Sequence, residues 1–174
     1  MANCCMITIT IDFFNEENAG WCYTWLSEIL KKADQKKENM PLGNTEQFVC
    51  EADVAQTADT SIEIGGWVRW ELNSDAFIDF VREVVHAYKV KELRCDYEEI
   101  GMGLYGHWLY EDDTGLLVER SVPETYVEEQ YQKYDPDQTG DETAFEQIMD
   151  AIRNCPEESM YTDQAIDLNG DKHE

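Results

Sequence analysis

One segment of the chain, residues 135–146, has the residue types and the spacing of a calcium-binding loop. Calcium prefers oxygen ligands, and an EF-hand loop supplies them at positions 1, 3, 5, 7 and 12, with a glycine at position 6 for the turn. Glycine does stand at the sixth place, as Gly140. The predicted metal ligands are Asp135, Asp137, Thr139, Asp141 through its carbonyl oxygen, and Glu146.

The same segment also suits an acidic turn that binds no metal. Position 8 of an EF-hand loop normally carries an apolar residue that pairs the loop with a second one, and here it is Glu142. Pro136 and Gly140 would bend the chain, and Asp141 would cap the helix that follows. Calcium is therefore the one cofactor that the sequence suggests, and the alternative is that the chain holds none.

The second candidate feature is the charge of the chain as a whole. Thirteen Lys and Arg residues stand against 38 Asp and Glu residues, a net charge of −25. Such a chain repels nucleic acid and anionic membranes and attracts basic surfaces. An array of carboxylates on one face would compete for a nucleic-acid-binding groove as DNA does, so a DNA mimic is one interpretation. A solvated acidic face without a partner is the other.

Aromatic residues interleave with these carboxylates between residues 97 and 119. Tyr and Trp are enriched among binding hot spots, so Tyr105, His107, Trp108 and Tyr110 are candidates for an exposed contact patch. Alternation along a strand would bury one set and expose the other. The predicted partner-binding residues are Glu98, Glu99, Tyr105, Trp108, Glu111, Asp112, Asp113, Glu128 and Glu129.

No catalytic residues are predicted, and we expect a protein that is not an enzyme. No Ser or Cys has an identifiable base, and the many Asp and Glu pairs give no indication of a cleft where two would converge. The six cysteines form no C-x-x-C pair, which disfavours zinc. Scattered cysteines without a signal-peptide pattern predict a reduced, cytoplasmic protein, and no apolar run is long enough to span a bilayer.

The periodicity of the chain predicts the elements that position these residues. Residues 5–13 alternate as a strand, and Asn15 is placed to cap a helix. Strands follow over 47–56 and 61–71, a second helix begins near Ser74, and a fourth strand covers 91–99. A hairpin over 107–111 and 116–120 completes this part, and two short helices follow it. Residues beyond Pro156 are expected to be loop and tail.

This order predicts an α+β fold of the ferredoxin-like, split βαβ kind: an antiparallel sheet with two helices on one face, an added β-hairpin and an acidic helical C-terminal extension. The expected division is a ferredoxin-like domain over residues 1–122 and an extension over 123–174 that packs on it. Another α+β layer with the same elements is the alternative.

Two stretches carry a resemblance to a known family. Asn3-Cys4-Cys5 before a strand, and the segment from Tyr97 to Gly106 (YEEIGMGLYG), are similar to motifs of the YubB-like proteins of phages and conjugative plasmids. The resemblance covers about residues 1–120, and Cys4 departs from the usual Trp. It implies a ferredoxin-like fold and an origin in mobile elements. It favours an anti-defence role, as an anti-CRISPR or antirestriction inhibitor that blocks a basic nucleic-acid-binding protein such as a host defence nuclease.

Overall fold

The structure, a computed structural model, describes residues 4–69, 72–99, 104–134 and 142–169. Its strands are β1 Cys4–Phe13, β2 Met40–Pro41, β3 Phe48–Ala58, β4 Ser61–Arg69, β5 Val90–Glu99, β6 Leu104–Glu111, β7 Leu116–Ser121 and β8 Tyr161–Asp167. Its helices are α1 Glu16–Lys36, α2 Ser74–Ala87, α3 Glu124–Tyr134 and α4 Glu142–Arg153, and a 3₁₀ turn covers Glu157–Ser159. None of the described helices is long and apolar enough to cross a membrane.

All the strands join one eight-stranded sheet in the order β2-β3-β4-β1-β5-β6-β7-β8, and every pairing is antiparallel. The ferredoxin-like prediction with two helices on one face is therefore wrong. The sheet has more strands than that fold, and four α-helices accompany it in the described ranges. The predicted order of the elements from β1 to β7 is correct apart from the short β2. The tail beyond Pro156 was expected to be irregular, but it returns as β8.

The main core lies between one face of the sheet and the first two helices. Ile7, Ile9 and Ile11 alternate along β1 and are at most 1% exposed, as expected for a strand with one covered face. Asn15 caps α1 and Asn73 caps α2, and the side chain of each accepts a hydrogen bond from the backbone of the first turn of its helix. The second helix is thus capped by Asn73 and not by the predicted Ser74.

A smaller core forms where α3 and α4 come together. It consists of Tyr105, Val127, Ile148, Met149 and Ile152. Tyr105 belongs to β6. Trp108, three residues further along the same strand, packs into the main core against Phe77, with ring centroids 5.6 Å apart. Alternation of side chains along β6 therefore places the two cores on opposite faces of the same sheet.

Candidate functional site

The face of the sheet opposite α1 and α2, here called the second face, carries two different groups of side chains. Residues on β1 that point to it, among them Thr8, Thr10 and Asp12, are half-buried, whereas the residues between them are fully buried in the main core. The second core covers this face around Tyr105. Toward Asp12 the side chains of the second face remain accessible to solvent.

A row of carboxylates crosses the accessible part. Directly opposed residues of an antiparallel pair point to the same face. Asp12 is opposite Glu92, and Glu92 is opposite Glu111 on the next strand. Leu116 follows on β7, and it is opposite Asp167 on β8. We call Asp12, Glu92, Glu111 and Asp167 the acidic row.

The acidic row sets like charges beside one another. Opposed side chains in antiparallel strands have Cβ atoms about 5 Å apart, and like charges in such pairs destabilise a sheet. Ser61 donates a hydrogen bond to Asp12 from the other side, and this is a neutral contact. On the neighbouring positions of the face, Glu63 lies opposite Thr10, and Arg94 is bound by Asp96, its Nη2 lying 2.8 Å from Oδ1. The row is therefore a surface of one sign.

The acidic row continues into the turn between β6 and β7. Glu111, Asp112 and Asp113 were predicted as contact residues, and all three are exposed there. Glu128 and Glu129 are also exposed, but they lie on α3, which packs near Tyr105 at the opposite end of β6. The predicted acidic set is thus divided between two places that are separated by the length of a strand, roughly 20 Å.

The remaining predicted contact residues are buried. Tyr105 is 4% and Trp108 is 1% exposed, and Glu99 is 2% exposed. His107 and Tyr110 are also buried, so the hypothesis of an exposed aromatic patch is wrong. Glu98 is held by Arg153, with two N–O distances of 3.1 Å. Burial therefore removes these side chains from direct contact with a macromolecular partner.

The predicted calcium ligands Asp135, Asp137, Thr139 and Asp141 lie outside the described residues. Glu146 is exposed on α4. Within the described ranges no group of three or more His, Cys, Asp or Glu side chains is arranged to hold a metal ion. Calcium binding by the 135–146 segment stays a prediction.

A cavity of about 440 Å³ lies between the second face of the sheet and the segment formed by α4 and the 3₁₀ turn. We call it the Arg–His cavity. Its apolar walls are made by Met6, Tyr105, Val122, Ile152 and Met160. Its polar residues include Thr8, Arg94, Asp96, Glu98, His107, Arg153 and Glu157.

Two arginines, Arg94 and Arg153, line this cavity, and Arg120 lies next to its lining residue Glu157; each of the three is bound by a carboxylate. Arg94 pairs with Asp96 on its own strand, and Arg153 of α4 reaches Glu98 of the sheet. Arg120 of β7 contacts Glu157 of the 3₁₀ turn. These pairs connect the sheet to the helical segment that covers it. When Arg120 is counted with the lining residues, three guanidinium groups stand against the three carboxylates of Asp96, Glu98 and Glu157.

His107 is the polar residue of the cavity that is left without a partner. Its side chain is 4% exposed, and its Nε2 atom has no hydrogen-bond partner within the described part of the chain. The nearest carboxylate oxygen, Oε1 of Glu157, is 4.0 Å away. Burial lowers the pKa of His107, and the charge of Arg94 lowers it further. The imidazole is therefore neutral near pH 7.

Sequence reasoning did not identify this cavity. It named His107 only as part of an aromatic patch, and it did not single out Arg94, Arg120 or Arg153. A usable signal existed, because β6 alternates so that His107 must share a face with Tyr105, opposite to that of Trp108. The pairing of β7 with β6, which brings Arg120 opposite His107, depends on strand register.

The buried cysteines are not activated as nucleophiles. Burial raises the pKa of Cys5 to about 11 and that of Cys22 to about 12, and nearby glutamates add to both effects. Cys155, at the edge of the Arg–His cavity, also has its pKa raised by burial. A thiol in such an environment stays protonated, whereas attack on a substrate requires the thiolate.

Comparison of the chain with protein-family models, with curated proteins and with solved structures gave no significant match. The similarity to the YubB-like proteins therefore stays a prediction.

Proposed function

We propose that this chain is a binding protein, not an enzyme, and that it uses the acidic row and the adjoining turn to engage a basic surface on another protein. The observation that carries the proposal is the direct opposition of Asp12, Glu92 and Glu111 on neighbouring strands. Glu111 is exposed, and Asp12 and Glu92 are half-buried.

The arrangement is unfavourable for the isolated protein and favourable in a complex. Like charges in directly opposed positions destabilise the sheet. Lysine or arginine side chains of a partner would lie between the carboxylates and convert repulsion into attraction. Charge complementarity of this kind raises association rates and selects partners, and it weakens with salt. A net charge of −25 would attract such a partner from a distance.

The length of the acidic row sets the length of the contact with the partner. From β1 to β8 it crosses four strand intervals, which is roughly 19 Å at the usual spacing between strands. A row of that length fits a few basic side chains, as in a nucleic-acid-binding groove. A nuclease of host defence is the specific partner that the resemblance to mobile-element proteins favours. Within this proposal the chain takes the place of nucleic acid and does not bind it.

The test is affinity capture with charge-matched variants. The variant Asp12→Asn/Glu92→Gln/Glu111→Gln removes three of the four charges of the acidic row, and Glu16→Gln/Glu17→Gln/Glu28→Gln removes three charges from the exposed side of α1. We expect the wild type and the α1 variant to capture the same basic protein from a lysate and the row variant to lose it. Added duplex DNA and added salt should both release the captured protein. Equal capture by the two variants, or capture that neither DNA nor salt weakens, would refute the proposal.

A further inference from the structure

The cavity enclosed by the second face and α4 has the features of a small-molecule site that is separate from the acidic row. We propose that the Arg–His cavity binds a small, uncharged, planar heteroaromatic molecule, and that a nucleoside is the ligand class that fits it. His107 supplies the central hydrogen bond, and the walls from β1 and α4 hold the ring.

The size and the walls suit a compact ring system. Ligand pockets are commonly 300–1,000 Å³ and mostly apolar with a few convergent polar groups, and this one is about 440 Å³. Met6 and Met160 contribute thioethers, which make favourable contacts with aromatic rings. Ile152 and Val122 complete an apolar surface against which a ring can lie flat.

The buried imidazole of His107 has a nitrogen, Nε2, that finds no partner among the residues that the structure describes. An unsatisfied buried polar atom destabilises a folded protein, and native proteins leave few of them. The Nε2 atom of His107 is such an atom, and its ring belongs to the lining of the cavity. A nucleobase carries both donors and acceptors along its edge. It can therefore satisfy Nε2 in either tautomer of the neutral ring.

The balance of charge argues for an uncharged ligand. Each guanidinium at the cavity already has a carboxylate, so an anionic ligand would have to displace Asp96, Glu98 or Glu157. The chain as a whole also repels anions. A neutral molecule avoids both costs, and it can use the hydroxyl of Thr8 for a further polar group. Glu157 is about half exposed, so the ligand can enter beside the 3₁₀ turn.

The experiment follows the imidazole nitrogens of the full chain by ¹⁵N NMR while adenosine, guanosine, cytidine and uridine are added separately. We expect at least one nucleoside, at about 1 mM, to shift the Nε2 resonance of His107 and to leave that of the exposed His86 unchanged. Calorimetry with the same nucleoside should give a Kd below about 1 mM. The nucleoside monophosphate should bind no more tightly than the nucleoside.

Two variants with a matched control complete the test. His107→Asn removes the ring, and Thr8→Phe narrows the cavity from the sheet. Each should weaken binding at least about tenfold, whereas His86→Asn should not change it. The proposal is overturned if no nucleoside shifts the His107 signal of the wild type. It is also overturned if the two cavity variants bind as the wild type does, or if the monophosphate binds about tenfold more tightly, since the arginines would then form an anion site.

Discussion

The two ends of the second face differ in how their carboxylates are paired, although the same strands run through both. At the accessible end, Asp12, Glu92 and Glu111 stand opposite one another. At the end covered by α4, each carboxylate has an arginine, as in the pair of Glu98 with Arg153. For Glu98, whose side chain is 11% exposed, coverage explains the difference. Water screens a like-charge pair on an open sheet, whereas a carboxylate under a helix loses that solvation and needs a cation.

The covered end of the second face stabilises the fold, and the open end is available to a partner. The covered end joins the C-terminal helices to the sheet through paired charges and the second core. The open end sets like charges opposite one another, although Asp12 accepts a hydrogen bond from Ser61 there. Substitutions at the two ends should therefore differ in the size and in the sign of their effect on stability.

The largest effect is expected in the second core, where α3 and α4 meet Tyr105. Ile148 is fully buried there, and Phe145 on the same helix is 40% exposed. Ile148→Ala should lower the free energy of unfolding by about 2–5 kcal/mol, because it leaves a cavity in a packed cluster. Urea denaturation measures the change, with Phe145→Ala as the control, which should have a clearly smaller effect. Equal losses in the two variants would show that the second core contributes little.

A smaller loss is expected when a charge pair of the covered end is broken. The side chain of Glu98 is 11% exposed, and Arg153→Met would leave its carboxylate without its two hydrogen bonds. We expect a loss of about 1–3 kcal/mol, the usual cost of an unsatisfied buried polar group. The double variant Arg153→Met/Glu98→Met should recover part of that loss, since it removes the stranded charge. A double variant less stable than the single variant would contradict this explanation.

At the open end, removal of a charge should stabilise the protein and not destabilise it. Glu92 lies between two directly opposed carboxylates, so Glu92→Gln should raise the free energy of unfolding by a few tenths of a kcal/mol, up to about 1. The gain should shrink in about 1 M salt, where screening removes the repulsion. Glu28→Gln, on the exposed side of α1, is the control and should have almost no effect. If Glu92→Gln lowers the free energy of unfolding, then Glu92 makes favourable contacts that outweigh the repulsion from Asp12 and Glu111.

Sequence reasoning succeeded where one local pattern decides the structure. The alternation of Ile7, Ile9 and Ile11 identified β1 and its buried face, and the apolar stripe of α2 identified that helix. It failed where register or long-range pairing decides. The stretch 161–167 has only Ile166 and half-buried Gln164 facing the protein, so it carries little strand signal, yet β7 offers it an edge to pair with.

The candidate sites show the same limit. Composition correctly indicated an acidic surface, and the exposed turn at Asp112 and Asp113 was among the predicted residues. The opposition of Glu92 to both Asp12 and Glu111 follows from strand order, which a single strand's pattern does not contain. The Arg–His cavity requires Arg153 of α4 and Glu157 of the 3₁₀ turn to converge on β5 and β6. Such convergence is a property of the tertiary fold.

The smallest effect concerns the pH dependence of the covered end, where His107 is neutral although Glu157 and Asp96 are near it. Burial and the arginines lower the pKa of His107 in the folded protein, so the unfolded chain takes up a proton first as the pH falls. The folded state should therefore lose stability below about pH 6.5, the ordinary histidine value, until the lowered pKa is reached. His107→Asn should be less sensitive to pH in that range. Chemical denaturation between about pH 5 and pH 8 measures the difference, since histidine titrates in that interval. If the wild type gains stability relative to His107→Asn as the pH falls, then protonation of His107 is favoured in the folded state. The charge of Glu157, not that of the arginines, would then determine the direction of the pKa shift of His107.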